Sequence, residues 1–130
     1  MANEKILVID DEPEVVKALK IRLEKNNYKV ITANDGETGL KKAQSELPDL
    51  IILDIIMPGM DGYQVLEKIK TGMYTDRIPV IMLTVKSRGD DIEKAFDKRA
   101  DYYITKPYDF KQLLKKVREL IKENKENIEF

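Results

Sequence analysis

Short apolar runs alternate with longer stretches in which apolar residues recur every three or four positions. The short runs are typical of buried strands, and the longer stretches are typical of helices with one buried face. The predicted strands are "KILVID", "YKVITA", "DLIILD", "IPVIMLT" and "DYYIT". The predicted helices cover residues 13–26, 36–45, 63–70, 90–98 and 110–122. Asp11 and Glu14 have the spacing of a capping box at the start of the first helix.

Several of the strands are apolar on both faces, which is typical of parallel sheets covered by helices on each side. Alternating strands and helices therefore predict an α/β fold, a doubly wound parallel sheet with helices on both faces. A length of 130 residues favours a single domain. We predict that the domain spans residues 1–124 and that residues 125–130 form a polar C-terminal tail.

Composition narrows the classes of function. The chain is 42% hydrophobic and 36% charged, which is typical of a soluble globular domain. Twenty-three basic and 24 acidic residues give a net charge of −1, so the balance does not indicate nucleic-acid binding. Because there is no cysteine or histidine, thiol chemistry and the usual general base are excluded. No apolar run approaches the roughly 18 residues of a membrane span, and we expect a cytoplasmic protein.

Polar side chains follow four of the five predicted strands at their carboxyl ends. They are Asp10 and Asp11, Asp54, Thr84, and Thr105 with Lys106. In open doubly wound sheets, ligands bind beyond these ends of the strands. The sequence therefore predicts a functional site at this edge.

Carboxylates dominate the predicted site. Two carboxylates about 4 Å apart repel by roughly 4 kcal/mol at an effective dielectric constant near 20. Such a cluster spreads into water, takes up protons or holds a cation, and three carboxylates suit Mg²⁺. A lysine and a threonine beside them suit phosphoryl oxygens. A nucleotide binder of this fold would need a glycine- or hydroxyl-rich turn after the first strand, whereas an acidic turn repels phosphate.

Four segments, "LVIDDEPE", "DLIILDIIMPGMDG", "VIMLT" and "YYITKPYD", resemble the signature segments of the response-regulator receiver domain of two-component signalling. The resemblance to this CheY-like superfamily runs from about Lys5 to Lys122. It implies a flavodoxin-like (βα)5 sandwich whose parallel sheet has the strand order 2-1-3-4-5.

The resemblance also implies roles for the acidic residues. Asp54 resembles the aspartate that accepts a phosphoryl group from a histidine kinase or a phosphorelay protein. Asp10 and Asp11 match the acidic pair that holds Mg²⁺, together with the Asp54 side chain and the backbone carbonyl of Ile56. Glu12 is expected to be a solvated acid in the first turn of the helix rather than a ligand.

Further roles follow from the same resemblance. Lys106 matches the lysine that contacts the carboxylate or phosphoryl oxygens, and a cis bond is expected before Pro107. Thr84 matches the hydroxyl that moves toward the phosphoryl group, and Tyr103 matches the aromatic residue that changes rotamer with it, although Tyr103 could equally be sheet packing. The output surface would consist of the fourth helix, the fifth strand and the fifth helix.

The implied partners are proteins. The phosphoryl donor would be a histidine kinase or a histidine phosphotransfer protein. The output would go to a downstream target protein or to a C-terminal effector domain. Direct binding of nucleic acid or membrane by this domain is not expected.

Three positions depart from the family pattern. Val85 follows the switch threonine, where a small residue is usual, and its bulk could crowd the approach to Asp54. Arg99 replaces a usual glycine before the fifth strand, and a positive φ there would cost roughly 1–2 kcal/mol. Gln112 and Lys116 lie where dimerising DNA-binding regulators tend to carry glutamate and arginine.

Two other functions stay open at this point. The first is an interaction module that kept the fold but is not phosphorylated, although the set of acidic, threonine and lysine residues is complete. The second is a phosphatase with an aspartyl nucleophile, which would need an acid two residues after Asp54. Ile56 occupies that position and cannot donate a proton. The domain is therefore not expected to be an enzyme beyond its own phosphoryl transfer and dephosphorylation.

Overall fold

The computed structural model describes residues 3–85 and 99–128, except for the side chains of residues 84, 85, 127 and 128. The predicted helix at residues 90–98 lies outside the described residues. The strands are β1 (Lys5–Ile9), β2 (Lys29–Ala33), β3 (Leu50–Asp54), β4 (Val80–Val85) and β5 (Tyr102–Lys106). The described helices are α1 (Pro13–Lys25), α2 (Gly36–Glu46), α3 (Gly62–Thr71) and α4 (Phe110–Ile128), the last being the fifth predicted helix.

The strands form one parallel sheet in the order β2-β1-β3-β4-β5, which confirms the predicted fold and topology. Ile9 of β1 pairs with Leu53 of β3, and Asp54 pairs with Leu83 of β4. Thr84 in turn pairs with Thr105 of β5. This register brings the carboxyl ends of β1, β3, β4 and β5 to one edge.

Helices cover both faces of the sheet, because alternate residues of each strand point to opposite faces. Ile6 and Val8 of β1 pack in the core that α1 and α4 cover. Leu7 and Ile9 pack in the core that includes residues of α2 and α3. The central strand β3 is buried along its whole length. Full burial of one such aliphatic side chain stabilises the fold by about 1.5–3 kcal/mol.

Helix α1 begins differently from the prediction. Its N-cap is Glu12, whose side chain makes no capping hydrogen bond, so the capping box of Asp11 and Glu14 was wrong. The Asp10 carboxylate instead accepts the Glu12 N–H at 2.9 Å, and the Glu12 carboxylate contacts Lys106. The carboxylates of Asp10 and Glu12 therefore make their contacts at the sheet edge and do not cap the helix.

Helix α3 begins directly against the end of β3. Asp61 and Gln64 form a complete capping box at its start. A Cβ on Gly62 would lie 2.3 Å from the carbonyl oxygen of Asp54 and 2.7 Å from the Cα of Ile55. Only glycine allows this approach, and it fixes the backbone that follows Asp54.

Helix α4 extends to Ile128, beyond the predicted end near residue 122. Arg118 donates a hydrogen bond to Asn26 at 3.4 Å, and Lys125 forms an ion pair with Glu4. The residues in each of these contacts are far apart in sequence, so the polar composition of the C-terminal segment did not indicate that the helix continues. The domain boundary at residue 124 stays a prediction.

The backbone just before β5 has the positive φ that was considered for Arg99, which replaces a usual glycine. Arg99 has a φ of 69°, in the left-handed region, and its guanidinium donates to the carbonyl of Lys70. The buried Lys70 ammonium lies 2.7 Å from Asp101. The hydrogen bond to the Lys70 carbonyl ties Arg99 to the end of α3. At the other end of β5, the bond between Lys106 and Pro107 is cis, as expected.

Candidate functional site

The carboxyl ends of three strands bring oppositely charged side chains together. Lys106, which ends β5, places its Nζ 3.1 Å from Oδ2 of Asp10 and 3.4 Å from Oδ1 of Asp54. Asp10 directly follows β1, and Asp54 ends β3. The two aspartates are buried, with side chains 0% and 7% exposed. The predicted convergence of Asp10, Asp54 and Lys106 is thus observed.

Four carboxylates meet at this edge. One oxygen from each of Asp10, Asp11, Glu12 and Asp54 lies within 4.8 Å of the others. Carboxylate oxygens are the ligands that Mg²⁺ and Ca²⁺ prefer. Within residues 3–85 and 99–128, the carbonyl oxygen of Ile56 accepts no hydrogen bond, so it is available as a further oxygen ligand. The donor set therefore fits a hard divalent cation.

Burial makes the charges of this cluster costly. Burial, followed by the charge of Asp10, raises the pKa of Asp54 from 3.8 to about 7, and Lys106 only partly offsets the increase. Burial also raises the pKa of Asp10, against the Glu12 N–H and Lys106, which lower it. The carboxylates at this edge therefore exceed the positive charge that the described side chains supply. A divalent cation would supply the balance.

Lys106 is the counter-charge of the cluster. Burial disfavours its ammonium form, but Asp54, Asp10 and Glu12 outweigh burial and raise the pKa of Lys106 above its ordinary 10.5. Its Nζ also lies 3.3 Å from Oε1 of Glu12. Lys106 is thus a fixed positive charge at this edge.

Glu12 is the residue whose contact the sequence interpretation missed. Its side chain is 61% exposed, as expected for a solvated acid, yet it forms an ion pair with Lys106. The signal lay in its position, because Glu12 directly follows the acidic pair and precedes Pro13, which fixes the first turn of the helix.

The threonine and the tyrosine of the predicted switch occupy different positions. Thr84 lies at the end of β4, directly after Leu83, the residue that pairs with Asp54. The side chains of Thr84 and Val85 lie outside the described part, so their roles stay predictions. Tyr103 is half-buried and packs against the core that contains Met82, and its rotamer change stays a prediction as well.

The surface also carries a groove that is separate from the carboxylate cluster. A groove of about 430 Å³ opens beside α1 and α2, where Lys17, Lys20 and Lys42 line it. None of the four carboxylates lines this groove. Its three lysines give this groove a basic lining.

Comparison with known proteins identifies the family. The sequence-family model of the response regulator receiver domain matches residues 6–118. The chain belongs to this family. It is 40% identical over 120 residues to the alkaline phosphatase synthesis transcriptional regulatory protein PhoP of Bacillus subtilis, covering 92% of this chain and 49% of that protein. It is 43% identical over 117 residues to the response regulator PleD of Caulobacter vibrioides, covering 89% of this chain and 26% of PleD. The chain spans about half the length or less of these relatives.

Solved receiver domains share the fold. A CheY-like response regulator receiver domain protein from Methanospirillum hungatei superposes with a TM-score of 0.90 at 29% identity, covering 97% of this chain and 99% of that one. The receiver domain of the sensor histidine kinase PA1611 from Pseudomonas aeruginosa superposes with a TM-score of 0.85 at 26% identity, covering 92% and 98%. That structure has a magnesium ion coordinated in its active-site cleft. In the described part of the present receiver domain, no helix has the length and apolar character to cross a membrane.

Proposed function

We propose that this receiver domain accepts a phosphoryl group on Asp54 in a Mg²⁺-dependent reaction and thereby switches a partner-binding surface. The observation that carries the proposal is the buried Asp54 carboxylate, which shares the Lys106 ammonium with Asp10. The donor we propose is a histidine kinase or a histidine phosphotransfer protein. Family membership supports this reaction class.

The reaction forms one bond and breaks one bond. A carboxylate oxygen of Asp54 attacks the phosphorus atom, and the bond between phosphorus and the donor's histidine nitrogen breaks. The imidazole leaves with the electron pair, and Asp54 becomes an acyl phosphate. Such transfers need mainly positioning and neutralisation of charge on the phosphoryl oxygens. The ammonium of Lys106, 3.4 Å from Asp54, is placed for the second task.

We propose that Asp10, Asp11 and the side chain of Asp54, together with the carbonyl of Ile56, hold Mg²⁺. When bound, the cation supplies positive charge to phosphoryl oxygens and orients them. The protein supplies the other groups that the reaction needs. Asp10 stays buried beside Lys106, and Asp54 provides the nucleophilic oxygen. Glu12 is not part of the proposed ligand set.

Phosphorylation changes the charge that Lys106 faces. The acyl phosphate carries nearly two negative charges where the carboxylate carried one. We propose that Lys106 and Thr84 are drawn toward it and that Tyr103 changes rotamer in response. Lys106 ends β5, and Tyr102 on the same strand already contacts α4, because the Nζ of Lys116 lies 4.5 Å from its ring centroid. The proposed output surface consists of the predicted helix at residues 90–98, β5 and α4.

The output we propose is binding to a downstream target protein or control of a C-terminal effector domain. In this proposal residues 1–124 are the receiver domain, residues 125–130 are a polar tail, and the protein is cytoplasmic. The domain catalyses only its own phosphoryl transfer and dephosphorylation. The exposed Ile56 supports this restriction, because it has no proton to donate where an aspartyl phosphatase needs an acid.

The test locates the phosphoryl group. The protein is incubated with Mg²⁺ and acetyl phosphate, and the acyl phosphate is reduced with borohydride, which converts a phosphorylated aspartate to homoserine. Peptide mass spectrometry should then find homoserine at position 54. Homoserine at another aspartate, or at none, would refute the assignment of Asp54.

A further inference from the structure

One lysine ammonium serves three carboxylates at the site edge. The Nζ of Lys106 lies 3.1 Å from Asp10, 3.3 Å from Glu12 and 3.4 Å from Asp54. A lysine ammonium has three hydrogen-bond donors, so these three acceptors can occupy all of them. The contact with Asp54 is the longest of the three. A phosphoryl group on Asp54 would therefore have to take donors that other carboxylates already hold.

Glu12 holds Lys106 from the solvent side. Its side chain is 61% exposed, whereas those of Asp10 and Asp54 are 0% and 7% exposed. The backbone of Glu12 is nevertheless fixed. Its N–H donates to Asp10 at 2.9 Å, and its carbonyl accepts from Val15 and Val16 at 3.1 Å in the first turn of α1. Glu12 thus reaches over the rim from a rigid position.

We propose that Glu12 is a positioning residue that restrains Lys106 and competes with the phosphoryl group for its ammonium. This inference rests on the proposed phosphorylation of Asp54. Of the carboxylates that share Lys106, Glu12 is the exposed one, so its ion pair is the weakest and breaks first. Loss of this contact frees one donor of Lys106 for the phosphoryl oxygens. Glu12 therefore sets how readily Lys106 moves toward Asp54.

Two other roles for Glu12 give different results in the same experiment. As a metal ligand, Glu12 would strengthen Mg²⁺ binding, because its carboxylate lies within 4.8 Å of the other three. As a simple negative charge at the rim, it would repel an anionic phosphodonor wherever its carboxylate pointed. A role through Lys106 instead requires that the carboxylate reach the ammonium.

The experiment compares Glu12→Gln, Glu12→Asp and the control Glu14→Gln in phosphorylation by acetyl phosphate over a range of Mg²⁺ concentrations. Loss of an exposed ion pair should raise the rate at saturating Mg²⁺ about two- to five-fold in Glu12→Gln. Glu12→Asp should show the same increase, because its carboxylate is one methylene shorter on a fixed backbone. Glu14→Gln should match the parent, since the exposed Glu14 contacts neither Lys106 nor another described charge.

Several outcomes would overturn the inference. A higher Mg²⁺ concentration at half-saturation in Glu12→Gln would assign Glu12 to the metal. A parent-like rate in Glu12→Asp would assign the effect to repulsion of the donor. Equal rates in all variants would show that Glu12 positions nothing.

A second readout does not depend on the reaction. The ¹⁵Nζ resonance of Lys106 is measured by NMR in the metal-free protein. It should shift in Glu12→Gln and Glu12→Asp and stay unchanged in Glu14→Gln. An unchanged resonance in the Glu12 variants would refute the contact and the inference, even if the parent is phosphorylated. If the Glu12 variants show the shift but the parent is never phosphorylated, the contact stands, and the proposed function and with it the positioning role are refuted.

Discussion

Lys106 Nζ lies 3.4 Å from Oδ1 of Asp54, although the two residues end strands that are not neighbours in the sheet. β4 lies between them and pairs with both β3 and β5. The contact thus links the ends of two strands that flank β4. A change in charge on Asp54 therefore changes the electrostatic interaction with Lys106 at the end of β5. From there the chain leads into α4.

Removal of the Lys106 charge should destabilise the metal-free protein. In Lys106→Met, the carboxylates of Asp10 and Asp54 lose their counter-charge while they stay buried. We expect the free energy of unfolding at pH 8 to fall by about 2 kcal/mol or more, because an uncompensated buried charge is left behind. Urea unfolding followed by circular dichroism measures this. Lys115→Met, which removes an exposed lysine of α4, is the control, and an equal loss in both variants would show that the Lys106 charge is not what stabilises the buried aspartates.

The stability of the metal-free protein should depend on pH through Asp54. Its pKa is raised from 3.8 to about 7, so the folded state binds the proton more tightly than the unfolded state. The resulting stabilisation is complete below pH 3.8 and is lost as the pH rises through about 7. Asp54→Asn does not titrate there. Between pH 5 and pH 8 the parent should therefore lose stability relative to this variant, by on the order of 2 kcal/mol.

Urea unfolding at the two pH values, with a chelator present, tests this dependence. Asp76→Asn is the control, since it removes one exposed carboxylate from the loop after α3. A parent that gains stability relative to Asp54→Asn as the pH rises would show that the pKa of Asp54 is lowered instead.

Magnesium should stabilise the parent through the acidic pair. At ten times its dissociation constant, a ligand that binds only the folded state adds about 1.4 kcal/mol. Thermal unfolding with and without Mg²⁺ should show this gain in the parent and lose most of it in Asp10→Asn and Asp11→Asn. Glu14→Gln should keep the gain. Equal gains in all four proteins would place the ion elsewhere.

Gly62→Ala should destabilise the protein and displace the backbone of Asp54. Its new Cβ would lie 2.3 Å from the carbonyl oxygen of Asp54, which is backbone and cannot move away cheaply. We expect a loss of about 1–3 kcal/mol, together with slower phosphorylation, because the backbone of Asp54 must shift. At Gly59, with a φ of +76°, a Cβ would meet nothing within 4 Å, so Gly59→Ala carries backbone strain only. It should unfold more easily yet be phosphorylated at the parent rate.

The sequence predicted the sheet and most of the site for one physical reason. Strands that are apolar on both faces must lie in a covered parallel sheet, and parallel strands end at the same edge. Asp10, Asp54 and Lys106 therefore had to converge once the strands were recognised. Their chemical types, two acids and a base after separate strands, indicated the kind of site before any distance was known.

The rest depended on contacts between residues that lie far apart in sequence. The side chain of Glu12 contacts Lys106 at the sheet edge instead of capping α1, and Lys106 follows more than ninety positions later. The end of α4 likewise depends on the ion pair of Lys125 with Glu4, near the other end of the chain. Local composition carries no signal for either contact. The capping box was therefore wrong, and the end of the last helix was placed too early.

Intact mass spectrometry shows whether the protein takes up a phosphoryl group and whether uptake depends on Asp54 and Mg²⁺. The parent and Asp54→Asn are incubated with acetyl phosphate and Mg²⁺, and a parallel parent sample contains a chelator. The parent should gain one phosphoryl group, while the variant and the chelated sample should gain none. An equal gain in Asp54→Asn, or no gain in the parent, would contradict the assignment of Asp54 as a Mg²⁺-dependent phosphoacceptor.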